Sequence, residues 1–153
     1  MEKVRAVQAF ARRSRRFSES FRLETLEKIE MPSSLTEICG YEELTLLDAM
    51  MKRNDFSGYT AYVAKDGERV VGIAVIQDGY YPAFTKIWCL EVAKDYQNRG
   101  IGRNIVESVL REHPAIKLVT KRDAFGFYQK MGFTFVGEPH PKSNVCYMVR
   151  VLH

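Results

Sequence analysis

A chain of 153 residues with 46% hydrophobic and 27% charged side chains is long enough to bury a core and too apolar for disorder, so one domain over residues 1–153 is expected. No apolar run approaches the roughly eighteen residues of a membrane helix and no secretory h-region follows Met1, which predicts a cytoplasmic protein with no membrane partner. Cys39, Cys89 and Cys146, like His113, His140 and His153, are scattered without ligand spacing, which predicts reduced thiols and no metal site.

The formal net charge of +4 is unevenly placed, because Arg5, Arg12, Arg13, Arg15, Arg16 and Arg22 crowd the beginning of the chain. Val4, Val7, Phe10, Ala11, Phe17 and Phe21 form an apolar stripe broken at Ser14, and the pattern predicts a basic amphipathic helix. Such a helix is expected to dock on its own domain or on a second copy of the chain as a homodimer. Two other readings are an arm that attracts nucleic acid, an acidic protein or anionic lipid, and a transit peptide, against which Glu2 and Glu19 count. No RNA-binding or helix-turn-helix signature is present, so nucleic acid is not an expected partner.

After Pro32, residues 42–52 read as a helix, so residues 1–57 are expected to be a largely helical part ahead of a sheet core at 58–153. Residues 60–65 and 69–76 are β-rich runs joined by Asp66-Gly67, a strong hairpin signal that pairs them antiparallel. Asp78, Gly79 and Pro82 mark a loop, and residues 85–92 the next strand. A helix follows Gly102, because Ile101, Ile105, Val106, Val109 and Leu110 recur at spacings of three and four until Pro114 stops them. Residues 115–120 suit a buried strand, 124–131 a short helix ended by Gly132, and 133–136 and 145–152 the closing strands.

Between the strand at 85–92 and its helix lies Gln97-Asn98-Arg99-Gly100-Ile101-Gly102-Arg103. Two glycines let the backbone turn tightly, and the first amides of a helix have no internal partners, which makes an anion cradle. Ile105 stands where a dinucleotide fold needs a third glycine, and neither Lys nor Ser/Thr follows Gly102 as a P-loop requires. The segment instead resembles Gln/Arg-x-x-Gly-x-Gly/Ala, the acyl-CoA signature of the GNAT superfamily of N-acyltransferases. Ala124-Phe125-Gly126-Phe127-Tyr128-Gln129-Lys130-Met131-Gly132-Phe133 resembles the closing motif of the same superfamily, in the right order downstream. The resemblance covers about residues 58 to 151 and leaves the opening of the chain without a counterpart.

The resemblance implies an α/β (α+β) fold: a mixed, mostly antiparallel sheet with helices on both faces. Strands 85–92 and 115–120 would be a splayed parallel pair. It further implies that the pantetheine arm of acetyl-CoA lies in the splay against backbone groups of Leu90, Glu91 and Val92. The pyrophosphate would sit on Gln97, Arg99, Gly100, Ile101, Gly102 and Arg103, and Tyr128 would touch the cofactor as general acid.

Acyl transfer to an amine needs a neutral nucleophile, an oxyanion stabiliser and a proton for the thiolate that leaves. An alkyl ammonium with a pKa of about 10.4 must lose a proton first, and a phenol with a pKa of about 10 can protonate the thiolate. Family members often carry Glu or His four or six residues before the position of Val92, where this chain has Trp88 and Lys86. Glu91 is the nearest carboxylate and the candidate base, although alternation sends it to the face opposite Leu90 and Val92 unless a bulge intervenes. Water-mediated proton removal is the default. Lys121 replaces the family's frequent Asn seven residues before the Tyr. Tyr80, Tyr81, Phe84, Trp88 and His140 are candidates to line an acceptor site.

These readings converge on an acetyl-CoA-dependent N-acetyltransferase that moves an acetyl group to a primary amine by direct attack in a ternary complex. The alternative is a non-catalytic acyl-CoA-binding regulatory domain with a basic interaction arm.

Overall fold

The structure, a computed structural model, describes residues 8–13, 23–34, 40, 42, 44–80, 84–138, 142 and 145–151. Its elements in chain order are β1 (Gln8–Arg13), β2 (Leu23–Glu30), α1 (Thr45–Met51), β3 (Thr60–Asp66), β4 (Arg69–Tyr80) and β5 (Phe84–Val92). There follow α2 (Ile101–Glu112), β6 (Ala115–Lys121), α3 (Phe125–Lys130), β7 (Thr134–Val136) and β8 (Val145–Val151). Among the described residues the strands form one sheet in the order β1-β2-β3-β4-β5-β6-β8-β7, antiparallel throughout except for the parallel pair β5 and β6.

The beginning of the chain departs from the helical expectation. Gln8–Arg13 is a strand paired antiparallel with β2 from Gln8↔Lys28 to Arg13↔Leu23, and residues 1–7 and 14–22 of the expected helix lie outside the described residues. Once β2 pairs with β3, its other edge offers a row of unmet N–H and C=O groups, and pairing there overrides local periodicity. In β2 itself, Leu26 and Ile29 are both buried although they face opposite sides of the sheet, being partners of Ala64 and Ala61. Their spacing of three therefore imitates a helix.

Helices cover both faces. Gly72 of β4 looks at α2, since a Cβ built there would lie 3.0 Å from Ile101 and from Ile105. Alternation carries Ala74 and Ile76, with their partners Val92, Leu90 and Ile87, to the same side. On the other side Ile73 pairs with Glu91, whose carboxylate meets α1. α3 shares the α2 side, since Phe125 meets Phe135 edge to face with centroids 4.8 Å apart, and the register runs from Phe135 through Met148 and Leu118 to Ile87. Central β4 is buried on both faces from Val70 to Ile76. It also extends to Tyr80, past the loop expected at Asp78-Gly79, because Tyr80 pairs with Phe84 across a second register shift.

The far end of α2 is tied to the sheet through polar contacts. Glu112 takes the Tyr62 hydroxyl and the Lys28 ammonium at 3.1 Å, while His113 Nδ1 lies 3.2 Å from Thr85 Oγ1. Close packing at the near end sets a test. Gly72→Val would drive its side chain into Ile101 and Ile105 and is expected to lower stability by about 1–3 kcal/mol, read as a fall in the urea midpoint at unchanged m-value.

Candidate functional site

β5 contains a bulge. Val75 pairs with Cys89 but Ile76 pairs with Ile87, so Trp88 is the extra residue. The bulge coincides with the end of the parallel pairing: β5 meets β6 only at Thr85↔Ile116, Lys86↔Lys117 and Ile87↔Leu118, although both strands continue. From Trp88 to Val92 the two strands splay.

The orientation of the backbone in that splay follows from one hydrogen bond. Ala93 donates its N–H to Val71 O at 2.8 Å, so the trans peptide points Val92 C=O away from β4 and into the gap. Alternation then gives Leu90 and Val92 both backbone groups toward the gap, and turns those of Glu91 toward β4. Gln97 Nε2 donates to Val92 O at 3.1 Å, which leaves the Val92 N–H and the Leu90 pair open to a ligand.

Glu91 is thereby moved out of both roles given to it from sequence. Its backbone belongs to β4, and its side chain crosses to the α1 side of the sheet, where Oε2 and Oε1 accept from Leu46 N at 3.0 Å and Leu47 N at 2.8 Å. α1 begins after Leu44, which has no oxygen to cap it. Glu91 supplies the missing cap and places a negative charge on the positive helix end. Both oxygens of the candidate base are committed to positioning a helix.

Above the splay the chain makes a 3-10 turn at Lys94–Tyr96 and then the glycine-containing loop. Tyr96 is buried and anchors that loop to the β3–β4 hairpin: its hydroxyl donates to Asp66 and accepts from Arg69 Nη1 at 3.3 Å. The Arg99 guanidinium stacks on the same ring at 4.8 Å. Asn98 and Gly100 both adopt positive φ, at 64° and 84°, and Gly100 is the N-cap of α2. Glycine takes such a φ at no steric cost and asparagine tolerates it better than most residues, and no atom lies within 4 Å of where a Gly100 Cβ would be. The first intrahelical bond at this end is Asn104 N to Gly100 O, so the amides of Ile101, Gly102 and Arg103 precede the hydrogen-bonded ladder. Ile101 is buried and offers only its amide, while Arg103 pairs with Glu107 at 3.2 Å on the solvated face. The Phe127 ring reaches the same spot, 3.5 Å from the position of a Gly102 Cβ.

Tyr128 is held by the end of its own helix. Gly132 N donates to Gln129 O and Phe133 N to Tyr128 O, both at 3.0 Å, with Gly132 at φ 91°. This is a Schellman cap, and its customary apolar contact is Phe133 on Tyr128, centroids 5.4 Å apart. Arg150 Nε fastens the turn by donating to Met131 O at 3.1 Å. Phe127 closes on the other edge of the ring at 5.0 Å. Burial first, and the neighbouring Cys89 second, push the Tyr128 phenol well above its usual range. The Cys89 thiol is itself pushed up to about 12 by burial and by Glu91, so it stays protonated and is no thiolate nucleophile.

Gln97, Arg99, Gly100, Ile101, Gly102 and Arg103 thus come together in one loop and helix terminus, with Leu90, Val92 and Tyr128 at the splay beneath. Sequence reasoning passed over Lys86 as an absent base. The structure stacks its ammonium 3.5 Å from the Trp88 ring centroid, in register with Lys117. Tyr81 and His140, expected near an acceptor, lie outside the described residues, as does the side chain of Tyr80. Among the described residues no group of His, Cys, Asp and Glu is arranged to hold a metal, and no helix is long and apolar enough to cross a membrane.

Comparison with known proteins agrees with this fold. Residues 57–135 match the family model of the acetyltransferase (GNAT) domain. The chain is 30% identical over 66 residues to an uncharacterized N-acetyltransferase of Staphylococcus saprophyticus, covering 41% of this chain and 45% of that protein. It therefore spans less than half the length of this relative. It is 25% identical over 122 residues to "Probable N-acetyltransferase Rv2775" of Mycobacterium tuberculosis, covering 72% and 70% of the two chains. In fold it is similar to the crystal structure of PH1933 from Pyrococcus horikoshii, with a TM-score of 0.61 at 21% identity over 84% of this chain and 99% of the other.

Two substitutions test the assignments made from geometry. Glu91→Gln keeps one acceptor oxygen for α1 and is expected to cost about 1 kcal/mol of stability while leaving the shape of the pH–rate profile unchanged; loss of its acid limb would restore Glu91 as a base. Gly132→Ala forces a positive φ on alanine and places a methyl 2.5 Å from Arg150 Nε. A loss of about 1–2 kcal/mol is expected, with a larger fall in kcat than in cofactor affinity as the Schellman turn under Tyr128 shifts.

Proposed function

Because the chain belongs to the GNAT acetyltransferase family, we propose that it moves an acetyl group from acetyl-CoA to a primary amine by direct attack within a ternary complex. The observation that carries this reading is the parting of β5 from β6 beyond Ile87, directly below an uncapped helix terminus.

The residues present fit the donor substrate. Amides at the start of α2 and the positive end of its dipole suit a pyrophosphate, the space over Gly100 is open, and Arg99 and Arg103 stand beside it. Leu90 and the Val92 N–H supply hydrogen bonds for an extended amide-bearing arm, as a neighbouring strand would. At the bulge the β5 backbone leaves the ladder, and a gap-facing amide there suits the oxyanion of the tetrahedral intermediate.

The attacking nitrogen forms a bond to the thioester carbon, gives up its proton, and expels the CoA sulfur as thiolate. Tyr128 is the proton donor to that sulfur. Its hydroxyl is buried at the splay and, kept protonated by burial, is still an acid at alkaline pH. With Trp88 and Lys86 at the two positions where a carboxylate or imidazole base would stand, and Glu91 capping α1, proton removal from the amine passes through water. The high pKa of Cys89 favours direct attack over an acetyl-cysteine intermediate.

Calorimetric titration with acetyl-CoA followed by thiol release over an amine panel tests the proposal. Saturable binding and turnover are expected, with Tyr128→Phe lowering kcat on the order of 100-fold while binding is kept. Binding without turnover on any amine would favour the regulatory-domain reading, and absence of binding at millimolar ligand would overturn both. The pH dependence carries a sign of its own. A phenol with a raised pKa keeps its proton, so the rate should climb with the neutral fraction of the acceptor and show no alkaline decline up to about pH 10.

A further inference from the structure

On the side of the sheet that α1 occupies, one half faces outward with apolar side chains. Val119 of β6, Tyr147 of β8 and Val136 of β7 are direct cross-strand partners, so they form a single row across three strands. Alternation puts that row on the α1 side, because their neighbours Leu118, Met148 and Phe135 belong to the side of α2 and α3. All three are exposed, by 41%, 47% and 49%. The strands that carry the row contain Lys117, Lys121 and Arg150 and no carboxylate. Lys117 and Lys121 leave the sheet on the side of the row, Lys117 with its ammonium 4.9 Å from the Tyr147 ring, while Arg150 turns to the other side and holds Met131 O. An exposed apolar row with a basic border marks a contact surface.

α1 is the complement of that surface. Leu47 turns inward and is buried, and Glu91 pins the start of the helix to β5. Opposite Leu47, helical geometry places Thr45 and Ala49 one turn apart, flanked by Leu46 and Asp48. All four are exposed, Leu46 by 47%. Small residues at the centre of this outer face let another layer approach closely, and Leu46 adds an apolar contact. Asp48, with the exposed Glu42 ahead of the helix, brings negative charge; Asp48 also meets Lys52 at 3.2 Å, an open surface pair of little strength. Three strands spaced by about 4.8 Å make a strip roughly 14 Å wide, room for one helix about 10 Å across. We propose that a second copy of this chain fills the strip. Two sheets face each other about a twofold axis, and α1 of each copy lies on the row of Val119, Tyr147 and Val136 of the other, so that the two helices form one layer between two sheets. The contact is closed and isologous: each α1 is buried by its own sheet through Leu47 and by the second sheet through Leu46 and Ala49, with its carboxylates toward the basic border. This association needs neither acetyl-CoA nor turnover.

Sedimentation equilibrium of the full chain over a concentration series tests the interlock, and a monomer–dimer equilibrium is expected. Tyr147→Lys on the strip and Leu46→Lys on the helix should each raise the dimer Kd at least about tenfold. Both positions are exposed, so the fold is kept, which unchanged circular dichroism verifies. An equimolar mixture of the two variants is the sharper test. In a mixed dimer the helix of the Tyr147→Lys copy lies on the strip of the Leu46→Lys copy, and that contact carries neither substitution. Dimer should therefore reappear in the mixture at concentrations where each variant alone is monomeric, whereas a patch that meets its own counterpart gives no such recovery. A natural-sequence chain that stays monomeric throughout, a dimer indifferent to either substitution, or a mixture without recovery overturns the interlock.

Discussion

The site depends on a single constraint: β5 must pair fully with β4 while withholding its other edge from β6. A parallel pair that zipped to its end would satisfy every backbone group and leave no slot for a ligand. One extra residue, Trp88, prevents this, because the register shift from Val75↔Cys89 to Ile76↔Ile87 bends β5 where the pairing with β6 stops. Leu90 and Val92 are left with polar groups that face no strand, of which Val92 O accepts from Gln97 Nε2. Opening one edge requires the other to be firm. β4 is buried on both faces, and the Tyr96 anchor to Asp66 keeps the loop after β5 in place.

The same bend distributes chemistry between the two faces. On the α2 side lie the cradle and the packed aromatic turn under Tyr128. On the α1 side lie Glu91, Trp88 and Lys86. A carboxylate at 91 would be costly if left bare beside Cys89 and the core, and the uncapped start of α1 answers it with two amides. The cap therefore fixes the start of α1 to β5 and keeps the Glu91 carboxylate on the side of the sheet away from α2.

What could be read from the sequence followed from how local each cause was. The helix after Gly102 was legible because its apolar positions, its glycines and Pro114 lie within fifteen residues, and α2 runs Ile101–Glu112 as they require. Gly132 gave away the end of α3 for the same reason. β1 and β2 were illegible because Leu26 and Ile29 are buried on opposite faces, so no period of two appears, and because β1 owes its form to an edge. The bulge at Trp88 has no glycine to mark it. Glu91 finds its partners 44 and 45 residues away, a distance over which no pattern of residue types reports contact.

Positions 86 and 88 of β5 carry Lys and Trp, and both are taken up in packing on the α1 face: the Lys86 ammonium sits over the Trp88 ring, which bonds Gln77 and meets Phe56. A strong base is needed when the acceptor arrives as an ammonium of ordinary pKa, about 10.4. Burial first, and the charge of Lys117 second, hold the Lys86 ammonium below its usual range. Tyr128 lies on the other side of the sheet, where burial holds its phenol above the usual range and keeps it protonated.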